Sequence, residues 1–368
     1  MFDESRIIVW RPEDGPVFPV TPVPEKAFGS GIVVRGSNWL GDAVMTFPAL
    51  KQLRTILPSD CALSVATPAG LAPLYRALPE IVDQVIPLKN AHAFPDGEER
   101  TMIRRTYAGV GFLFNNSFRD ALSLKLCGVR RLYGAKARNR SWLMAASWKF
   151  EKRRDRELNH PHQSSKYLSM VYAIGAEKWD GVMPPLQPRT QPRSELAGFL
   201  ENPHILAVAP GAAYGDGKRW RAEYFRQVAA KWLEMRPGGI VLALGSKSER
   251  NGAEEALSGL PPDQVFDLAG ETTLDELIRV LQQAEFCIAN DSGIMHLSAA
   301  AGGRGIAVFG STDPAATSPL SQNWHLLYDK LPCSPCFKRV CPLGTKACMD
   351  RITARNVVEH MAEMCPVK

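Results

Sequence analysis

The chain has 368 residues, of which 45% are hydrophobic and 22% charged, and its formal net charge is +6. This composition suits a globular protein long enough for two domains, and eight cysteines in such a chain do not make a disulfide scaffold. No apolar run reaches the length of a membrane span, and the acidic start lacks a signal-peptide pattern, so we expect a cytoplasmic protein.

Residues 1–30 are rich in proline and charge, and they are predicted to form a leader or arm outside the domains. Beyond residue 30, short apolar runs alternate with helical patterns. The predicted strands of this half are Ile32–Arg35, Ala62–Ala66, Gln84–Pro87 and Gly111–Phe114. The predicted helices include Ala43–Leu57, Arg119–Cys127 and Ser164–Ile174.

The second half repeats this alternation. Its predicted strands are Ile205–Ala209, Ile240–Leu244, Val265–Leu268, Phe286–Ala289 and Gly305–Phe309. Its predicted helices are Glu223–Met235, Ser248–Leu257, Thr273–Gln283, Ile294–Ala301 and Thr353–Met364. Alternation of strands and helices favours parallel sheets covered on both faces. The predicted organisation is a leader at 1–30, an α/β domain at 31–180, a proline-rich linker at 181–194, a second α/β domain at 195–350 and a C-terminal helix at 351–368.

The first motif, RGSNWLGDAVMTFPAL, begins where a predicted strand ends at Arg35. It lacks the Lys and Ser/Thr of a phosphate loop, and it also lacks the G-x-G-x-x-G pattern of nicotinamide-binding proteins. A predicted helix begins near Gly41 and Asp42. The Asp42 carboxylate is suited to act as a general base, or it simply complements the helix dipole.

The second motif, APGAAYGDGKRW, leads from a predicted strand into a glycine-rich loop and then a cation, Lys218. Such a loop lets a diphosphate approach the backbone, and the lysine would neutralise its charge. The alternative is a solvated loop anchored by Trp220 in the core. Further along, Glu249 follows a strand and either accepts hydrogen bonds from a ribose or is an exposed residue of a first helical turn.

The third motif, CIANDSGIMHLSAAAGGRGIAVFGSTD, has a strand–turn–helix–strand pattern. It places Asp291, Ser292 and Gly293 at a helix N-terminus, where free N–H groups and the helix dipole favour an anion. Such a crevice is the usual nucleotide site of open α/β sheets. We expect Asp291 to be the helix N-cap. His296, one turn into the helix, is either a ligand contact or a structural residue.

Two further features, a basic segment and a group of four cysteines, are each compatible with more than one function. The segment 119–156 holds twelve Lys/Arg against three Asp/Glu, which indicates an acidic partner or only a solvated face. No nucleic-acid-binding signature accompanies this charge. The spacing C-x2-C-x4-C-x6-C is compatible with zinc, a disulfide or free thiols, and nothing places it in the chemistry. The four residues are Cys333, Cys336, Cys341 and Cys348.

Together the motifs resemble glycosyltransferase family 9, the lipopolysaccharide heptosyltransferases. The stretches that carry the resemblance are SNWLGDAVMTFPAL, NNSFRDAL, PGAAYGDGKRW and NDSGIMHLSAAAG with VFGSTDP. The resemblance implies a GT-B fold, in which two Rossmann-like domains face each other across a cleft. It also implies inverting transfer of heptose from ADP-L-glycero-D-manno-heptose to a heptosyl-Kdo-lipid A acceptor, without a metal or other cofactor.

The resemblance also implies roles for individual residues. Asp42 is then the base, Lys218 contacts the donor diphosphate and acts in catalysis, and the remaining donor-site residues are Gly41, Glu249, Asp291, Ser292, Gly293 and His296. The basic segment would meet the acidic glycolipid and an anionic membrane surface at the inner leaflet, through Arg119, Lys125, Arg130, Arg131, Lys136, Arg138 and Arg140. Two alternatives are a GT-B enzyme for another nucleotide sugar, such as a UDP-sugar epimerase or transferase, and a non-enzymatic nucleotide- or metal-binding protein.

Overall fold

The computed structural model of the chain describes residues 16–150 and 162–366. These residues form two units. The first unit contains residues 16–150 and 162–189, and the second contains residues 190–366. Each unit is built on its own six-stranded parallel sheet with helices on its faces. This architecture confirms the predicted α/β class and the two Rossmann-like domains of a GT-B protein.

The sheet of the first unit has the strand order β3-β2-β1-β4-β5-β6. Its strands are β1 (Gly31–Arg35), β2 (Ala62–Pro68), β3 (Gln84–Leu88), β4 (Val110–Leu113), β5 (Arg131–Ala135) and β6 (Ala146–Trp148). The central strand β1 is buried along its whole length, as an apolar strand covered on both faces must be. Strand order reverses between β1 and β4, so the loops that follow these two strands diverge and leave a crevice.

Six helices complete the first unit. They are α1 (Leu40–Met45), α2 (Phe47–Thr55), α3 (Ala72–Arg76), α4 (Gly97–Arg105), α5 (Phe118–Leu126) and α6 (Gln163–Tyr172). The N-terminus of α5 is capped by Ser117, whose hydroxyl accepts a hydrogen bond from the backbone N–H of Asp120. This cap fixes the start of the helix immediately after the loop that follows β4.

The sheet of the second unit has the order β12-β11-β10-β7-β8-β9, which is the same topology as the first. Its strands are β7 (Ile205–Ala209), β8 (Ile240–Ala243), β9 (Val265–Asp267), β10 (Phe286–Asn290), β11 (Gly305–Phe309) and β12 (Trp324–Tyr328). The reversal of strand order falls between β7 and β10, whose register pairs Ala289 with Ala209. The loops after β7 and β10 therefore begin side by side.

The helices of the second unit surround a core that includes Trp220 and Trp232. They are α7 (Ser194–Leu200), α8 (Ala222–Met235), α9 (Arg250–Leu257), α10 (Leu274–Gln283), α11 (Gly293–Ala300), α12 (Pro314–Thr317), α13 (Ala347–Asp350) and α14 (Ala354–Met364). Within the described ranges no helix combines the length and apolar character needed to cross a membrane.

The prediction of one helix over residues 43–57 is wrong. The chain forms α1 and α2 instead, and the break falls at Thr46. The Thr46 hydroxyl donates a hydrogen bond to the Ala43 carbonyl at 2.6 Å, which satisfies an acceptor at the end of α1. Pro48 then occupies the first turn of α2, where a missing N–H costs nothing. Apolar periodicity alone continues across this break and therefore conceals it.

The two proline-rich segments pack partly against the units. In the predicted leader, residues 16–30 are described, and the Thr21 N–H donates to the Ala173 carbonyl at 2.8 Å. In the predicted linker, the Gln187 N–H donates to the Ala77 carbonyl at 2.8 Å, and Leu186 is buried. Residues 181–189 therefore belong to the first unit, and residues 190–194 belong to the second.

Candidate functional site

The loops that leave β7 and β10 lie together at the carboxyl edge of the second sheet. The glycine loop (residues 210–219) follows β7, and the turn Asp291–Ser292 joins β10 to α11. The sequence predicted both as nucleotide-binding elements, although they are separated by about 70 residues along the chain. The topology of the sheet brings them together, because their two strands are hydrogen-bonded neighbours.

Asn290, the last residue of β10, holds the glycine loop in place. Its fully buried side-chain amide donates to the carbonyl of Pro210 at 2.8 Å and to that of Gly211 at 3.3 Å. Its side-chain oxygen accepts the N–H of Trp220 at 3.0 Å. One side chain thus fixes both ends of the loop. Asn290 is not among the predicted site residues, although a polar residue that ends an apolar strand is a signal for such a role.

Lys218 and Asp291 form a buried ion pair across these loops. The Lys218 Nζ lies 2.5 Å from Asp291 Oδ2, and their side chains are 13% and 4% exposed. The same oxygen accepts the hydroxyl of Thr312, which follows β11, at 2.6 Å. Two predicted site residues therefore meet directly, and Thr312 is a third participant that the sequence analysis missed.

The expectation that Asp291 caps α11 is wrong. The N-cap position belongs to Ser292, and the carboxylate of Asp291 is engaged by Lys218 and Thr312 instead. A charged donor binds a carboxylate more strongly than a backbone N–H does, which explains the preference. The buried Ser292 hydroxyl has no hydrogen-bond partner among the described residues. The start of α11, with Gly293 as its first residue, therefore presents a hydroxyl and backbone N–H groups without an internal cap.

His296 lies in the first turn of α11 and is buried. Burial lowers the pKa of its imidazole to about 4, although the nearby Asp291 carboxylate acts in the opposite direction. The ring is therefore neutral near pH 7. Within the described part of the chain its Nδ1 has no hydrogen-bond partner. A neutral imidazole with one unused nitrogen can still bond to a ligand at this helix end.

Glu249 lies against the glycine loop rather than in solvent. It precedes α9 and forms a capping box with Ser246, whose N–H and hydroxyl both donate to Glu249 Oε2 at 2.8 and 2.7 Å. A β-carbon on Gly211 would lie 2.3 Å from the Glu249 carboxyl carbon, so this carboxyl group packs directly against the glycine loop. Glu249 thus lies in a first helical turn, as one of the two interpretations had it, but it is half-buried and its carboxyl group borders the loop.

Asp42 lies in the first unit, in the first turn of α1 and beside Gly41. It is half-buried. The charge of Asp42 affects the pKa values of two buried tyrosines. Burial raises the pKa of Tyr167, and the Asp42 carboxylate raises it further. Burial also raises the pKa of Tyr75 to about 12, with a smaller contribution from Asp42. Asp42 therefore borders an apolar, aromatic environment at the carboxyl edge of the first sheet.

A second buried ion pair occupies the strand-order reversal of the first unit. Arg35 Nε, at the end of β1, lies 2.9 Å from Asp120 Oδ2, and their side chains are 3% and 7% exposed. Asp120 also accepts hydrogen bonds from Asn115 at 2.6 Å and from Arg119 at 3.2 Å. The NNSFRDAL motif thus joins the loops that follow β1 and β4 through contacts among its own residues and Arg35.

The basic segment divides into buried and exposed cations. Arg140 is fully buried, and its guanidinium donates to the carbonyls of Ala135 and Ser117, so its predicted contact with an acidic partner is wrong. Lys125 and Arg119 also donate to backbone carbonyls within the first unit. Four of the predicted cations are exposed, namely Arg130, Arg131, Lys136 and Arg138. The part of the segment from residue 151 to 156 lies outside the described residues.

The Cys-rich loop (residues 332–348) lies beside the glycine loop. Its four cysteines line a single cavity of ≈ 30 Å³ together with Gly217 and Ser311. All eight thiols of the chain are free. Over residues 16–150 and 162–366, no group of three His, Cys, Asp or Glu side chains is arranged to hold a metal ion. The sequence placed this loop outside the chemistry, whereas the structure places it at the edge of the candidate site.

Two α/β units, each built on a six-stranded parallel sheet of the same topology, define a protein of the GT-B fold class. The family model described as "Glycosyltransferase family 9 (heptosyltransferase)" matches residues 100–347, which is more than half of the chain. The chain therefore belongs to glycosyltransferase family 9 and is a glycosyltransferase, as the resemblance of its motifs predicted.

Individual relatives agree with this assignment. Lipopolysaccharide heptosyltransferase 2 of Escherichia coli (strain K12) is 28% identical over 312 residues, which cover 80% of this chain and 87% of that protein. Lipooligosaccharide heptosyltransferase 2 of Campylobacter jejuni subsp. jejuni is 28% identical over 340 residues, which cover 90% and 98%. The structure of E. coli ADP-heptose LPS heptosyltransferase II superposes with a TM-score of 0.71 at 23% identity, and it covers 90% of this chain and 98% of that chain.

Proposed function

We propose that the protein transfers heptose from ADP-L-glycero-D-manno-heptose to a heptosyl-Kdo-lipid A type acceptor of the lipopolysaccharide inner core. The names of the relatives support the donor sugar and the lipopolysaccharide acceptor. The observation that carries the proposal is the pairing of Lys218 with Asp291 at the start of α11, at the strand-order reversal of the second sheet. This is the position at which open α/β sheets bind nucleotides.

In the proposed site, the donor diphosphate lies between the glycine loop and the start of α11. Lys218 supplies a positive charge there, and the helix end adds backbone N–H groups and the hydroxyl of Ser292. His296 and Gly293 border the same helix end, and Glu249 borders the loop on the side where a nucleoside would lie. Charge on the leaving diphosphate grows as the sugar bond breaks, so these groups stabilise the transition state without a metal ion.

Asp42 is the proposed general base. Inversion at the anomeric carbon requires one displacement, in which the acceptor oxygen attacks as its proton is removed and ADP leaves. A half-buried carboxylate at the start of a short helix is suited to accept that proton, and Gly41 precedes it in the same turn. The aromatic surroundings of Asp42 reduce competition from water for the activated sugar.

The proposed acceptor carries carboxylates and phosphates, which favours contact with cations of the first unit. The exposed residues Arg130, Arg131, Lys136 and Arg138 are available for this role, as the buried Arg140 is not. We include an anionic membrane surface among the proposed partners, because the lipid part of the acceptor resides in a bilayer. A cytoplasmic protein that binds peripherally to the inner face of that membrane fits this proposal.

The test is a transfer assay with the purified full-length protein, ADP-heptose and a mono-heptosylated Kdo-lipid A acceptor, read by mass spectrometry. We expect the acceptor to gain the mass of one heptose, equally well with and without a chelator, and anomeric analysis to show inversion. Asp42→Asn is the control that should abolish the gain. Tight ADP binding without transfer would reject the acceptor, and preference for a UDP-sugar would reject the donor.

A further inference from the structure

The Cys-rich loop forms one wall of the glycine loop. The Gly217 N–H donates to the Arg339 carbonyl at 2.8 Å, and the Tyr214 hydroxyl donates to the Phe337 carbonyl at 2.9 Å. The Phe337 N–H in turn donates to the carbonyl of Ser311 at 2.7 Å. Residues 337–339 are therefore fixed between the glycine loop and the loop that follows β11.

This contact explains two glycines of the glycine loop. Gly215 has φ +149°, and a β-carbon there would lie 2.6 Å from the Arg339 carbonyl oxygen. A β-carbon on Gly217 would lie 2.7 Å from the Lys338 carbonyl oxygen. Both distances are shorter than any real contact of a β-carbon, so a larger residue would push the two loops apart. Gly215 and Gly217 therefore allow the Cys-rich loop to pack closely against the glycine loop.

Two cations share the ring of Tyr214 at this junction. The Lys218 Nζ lies 5.0 Å from the ring centroid, and the Arg339 Cζ lies 5.4 Å from it. Both distances are within the range of cation–π attraction. Tyr214 is 39% exposed, and the Arg339 side chain is exposed. The guanidinium of Arg339 therefore lies beside the ring that Lys218 also contacts, and its side chain is exposed.

The charges at this site leave a role for Arg339. The Asp291 carboxylate beside Lys218 offsets part of the lysine's charge, so a diphosphate would need a further cation. Lys346, another cation of the Cys-rich loop, is paired with Asp216 at 3.1 Å. No ion pair involves Arg339 in the described part of the chain, so no carboxylate there neutralises its charge. A planar guanidinium can also bind two phosphate oxygens at once.

We propose that Arg339 is a second diphosphate-binding residue of the donor site, delivered by the Cys-rich loop. This assignment rests on the proposed function, because it takes the donor to be a nucleoside diphosphate sugar. Lys218 and the start of α11 bind the diphosphate from the sheet edge, and Arg339 binds it from the opposite loop. The Cys-rich loop thereby becomes part of the substrate site.

The test compares ADP and AMP binding to the full-length protein by calorimetry, with wild type, Arg339→Ala and Arg339→Lys. A charge-assisted phosphate contact predicts about tenfold weaker ADP binding by Arg339→Ala. AMP, which lacks the second phosphate, should lose less affinity than ADP. Arg339→Lys should lie between the other two proteins, because it keeps the charge without the planar fork.

Lys338→Ala is the matched control, because Lys338 is the exposed neighbouring cation. ADP affinity that is unchanged in Arg339→Ala would overturn the assignment while leaving the proposed function intact. An equal loss in Lys338→Ala would also overturn it, because general surface charge would then explain the effect. Wild-type protein that binds no ADP would overturn both proposals. Equal melting temperatures of the three variants would confirm that folding is not the cause.

Discussion

The two units share one topology, and each has a buried ion pair at its strand-order reversal, but the two pairs differ in their surroundings. In the first unit, Asp120 contacts Arg35, Asn115 and Arg119, and the Arg35 guanidinium also donates to Gly36 and Asn38. In the second unit, the Lys218 ammonium contacts Asp291 and lies beside the partly exposed ring of Tyr214.

The difference concerns the number of hydrogen bonds that each cation can still make. The Arg35 guanidinium is enclosed by the protein, so its pair stabilises the junction between two loops. The Lys218 ammonium has three donors and a route to solvent at 13% exposure, so it can bind an anion without losing its fold contacts. The same topological position thus holds an enclosed ion pair in one unit, whereas in the other it holds the partly exposed cation of the proposed donor site.

The largest expected effect comes from Asp42. It follows β1 at the strand-order reversal of the first sheet, and it belongs to neither of the two buried ion pairs. Asp42→Asn should lower kcat by about 10²–10⁴-fold, the usual contribution of a general base, with ADP affinity unchanged. Steady-state kinetics and ADP titration measure the two effects separately. Asp180→Asn removes an exposed carboxylate of the same unit and should leave kcat as in wild type. A kcat near the wild-type value in Asp42→Asn would exclude the base assignment.

The next largest effect concerns the Arg35–Asp120 ion pair of the first unit. Arg35→Ala leaves the Asp120 carboxylate buried with fewer donors, and it should lower the free energy of unfolding by about 3–5 kcal/mol. Urea denaturation measures this loss. Arg54→Ala, which breaks the exposed pair with Asp83, should cost at most about 1 kcal/mol. If Arg35→Ala cost no more free energy of unfolding than Arg54→Ala, the Arg35–Asp120 pair would not stabilise the junction between the loops that follow β1 and β4.

Lys218→Ala should reduce kcat/KM by about 10²-fold, because it removes a charged donor from the transition state. This change also leaves Asp291 uncompensated, so the double variant Lys218→Ala/Asp291→Asn is needed beside it. We expect the double variant to regain thermal stability but not kcat/KM. Recovery of kcat/KM in the double variant would mean that Lys218 only neutralises Asp291, as Arg35 neutralises Asp120.

His296, at the start of α11 in the second unit, makes the free energy of unfolding dependent on pH. Its pKa is about 4 in the folded protein and 6.5 in an exposed histidine. As the pH falls from 6.5 toward 4, only the unfolded state gains this proton, so the free energy of unfolding falls by about 1.4 kcal/mol per pH unit. Above pH 6.5 the contribution is constant.

Denaturation of wild type and His296→Gln across this range measures the effect as a difference in slope. The variant should lose stability less steeply toward acid pH than wild type. His92→Gln, at an exposed histidine of the first unit, should retain the wild-type slope. Parallel slopes for wild type and His296→Gln would show that His296 is not held neutral.

The smallest expected effect concerns the Cys-rich loop, which lies beside the glycine loop of the second unit. Backbone N–H groups, first that of Lys346, lower the pKa of Cys341, whereas burial raises the pKa of Cys348 to about 11. Iodoacetamide should therefore label Cys341 at least about tenfold faster than Cys348 near pH 8. Peptide mass spectrometry over time measures both rates in one sample. Equal rates would mean that the N–H groups do not stabilise the Cys341 thiolate.

Much of the fold could be predicted because buried parallel strands are continuous apolar runs. The predicted bounds of β7 and β11 agree with the structure, and most other strands differ by one or two residues. Strands β5 and β6 were missed because they lie within the basic segment, where polar residues interrupt the apolar pattern. Strand β12, a short run between two loops, was missed for lack of a following helix.

The candidate site was predictable only where one short motif contains the chemistry. Lys218 and Asp291, which the structure brings into contact, could be singled out because each follows a strand in a recognisable turn. The contacts of Asn290, Thr312 and Arg339 could not be predicted, because they depend on residues brought close by the order of strands. Arg140 was misjudged for the related reason that composition records its charge and not its burial.

In the proposed donor site, the Lys218 ammonium would meet the diphosphate with its counter-ion, Asp291, already in place. Before the nucleotide arrives, the ammonium already has a carboxylate as its counter-ion, so a simple anion such as chloride or free phosphate has little to attract it. A ligand therefore gains much from this site only if its other end is held elsewhere as well. The pair thus favours long, multiply anchored ligands over small ions.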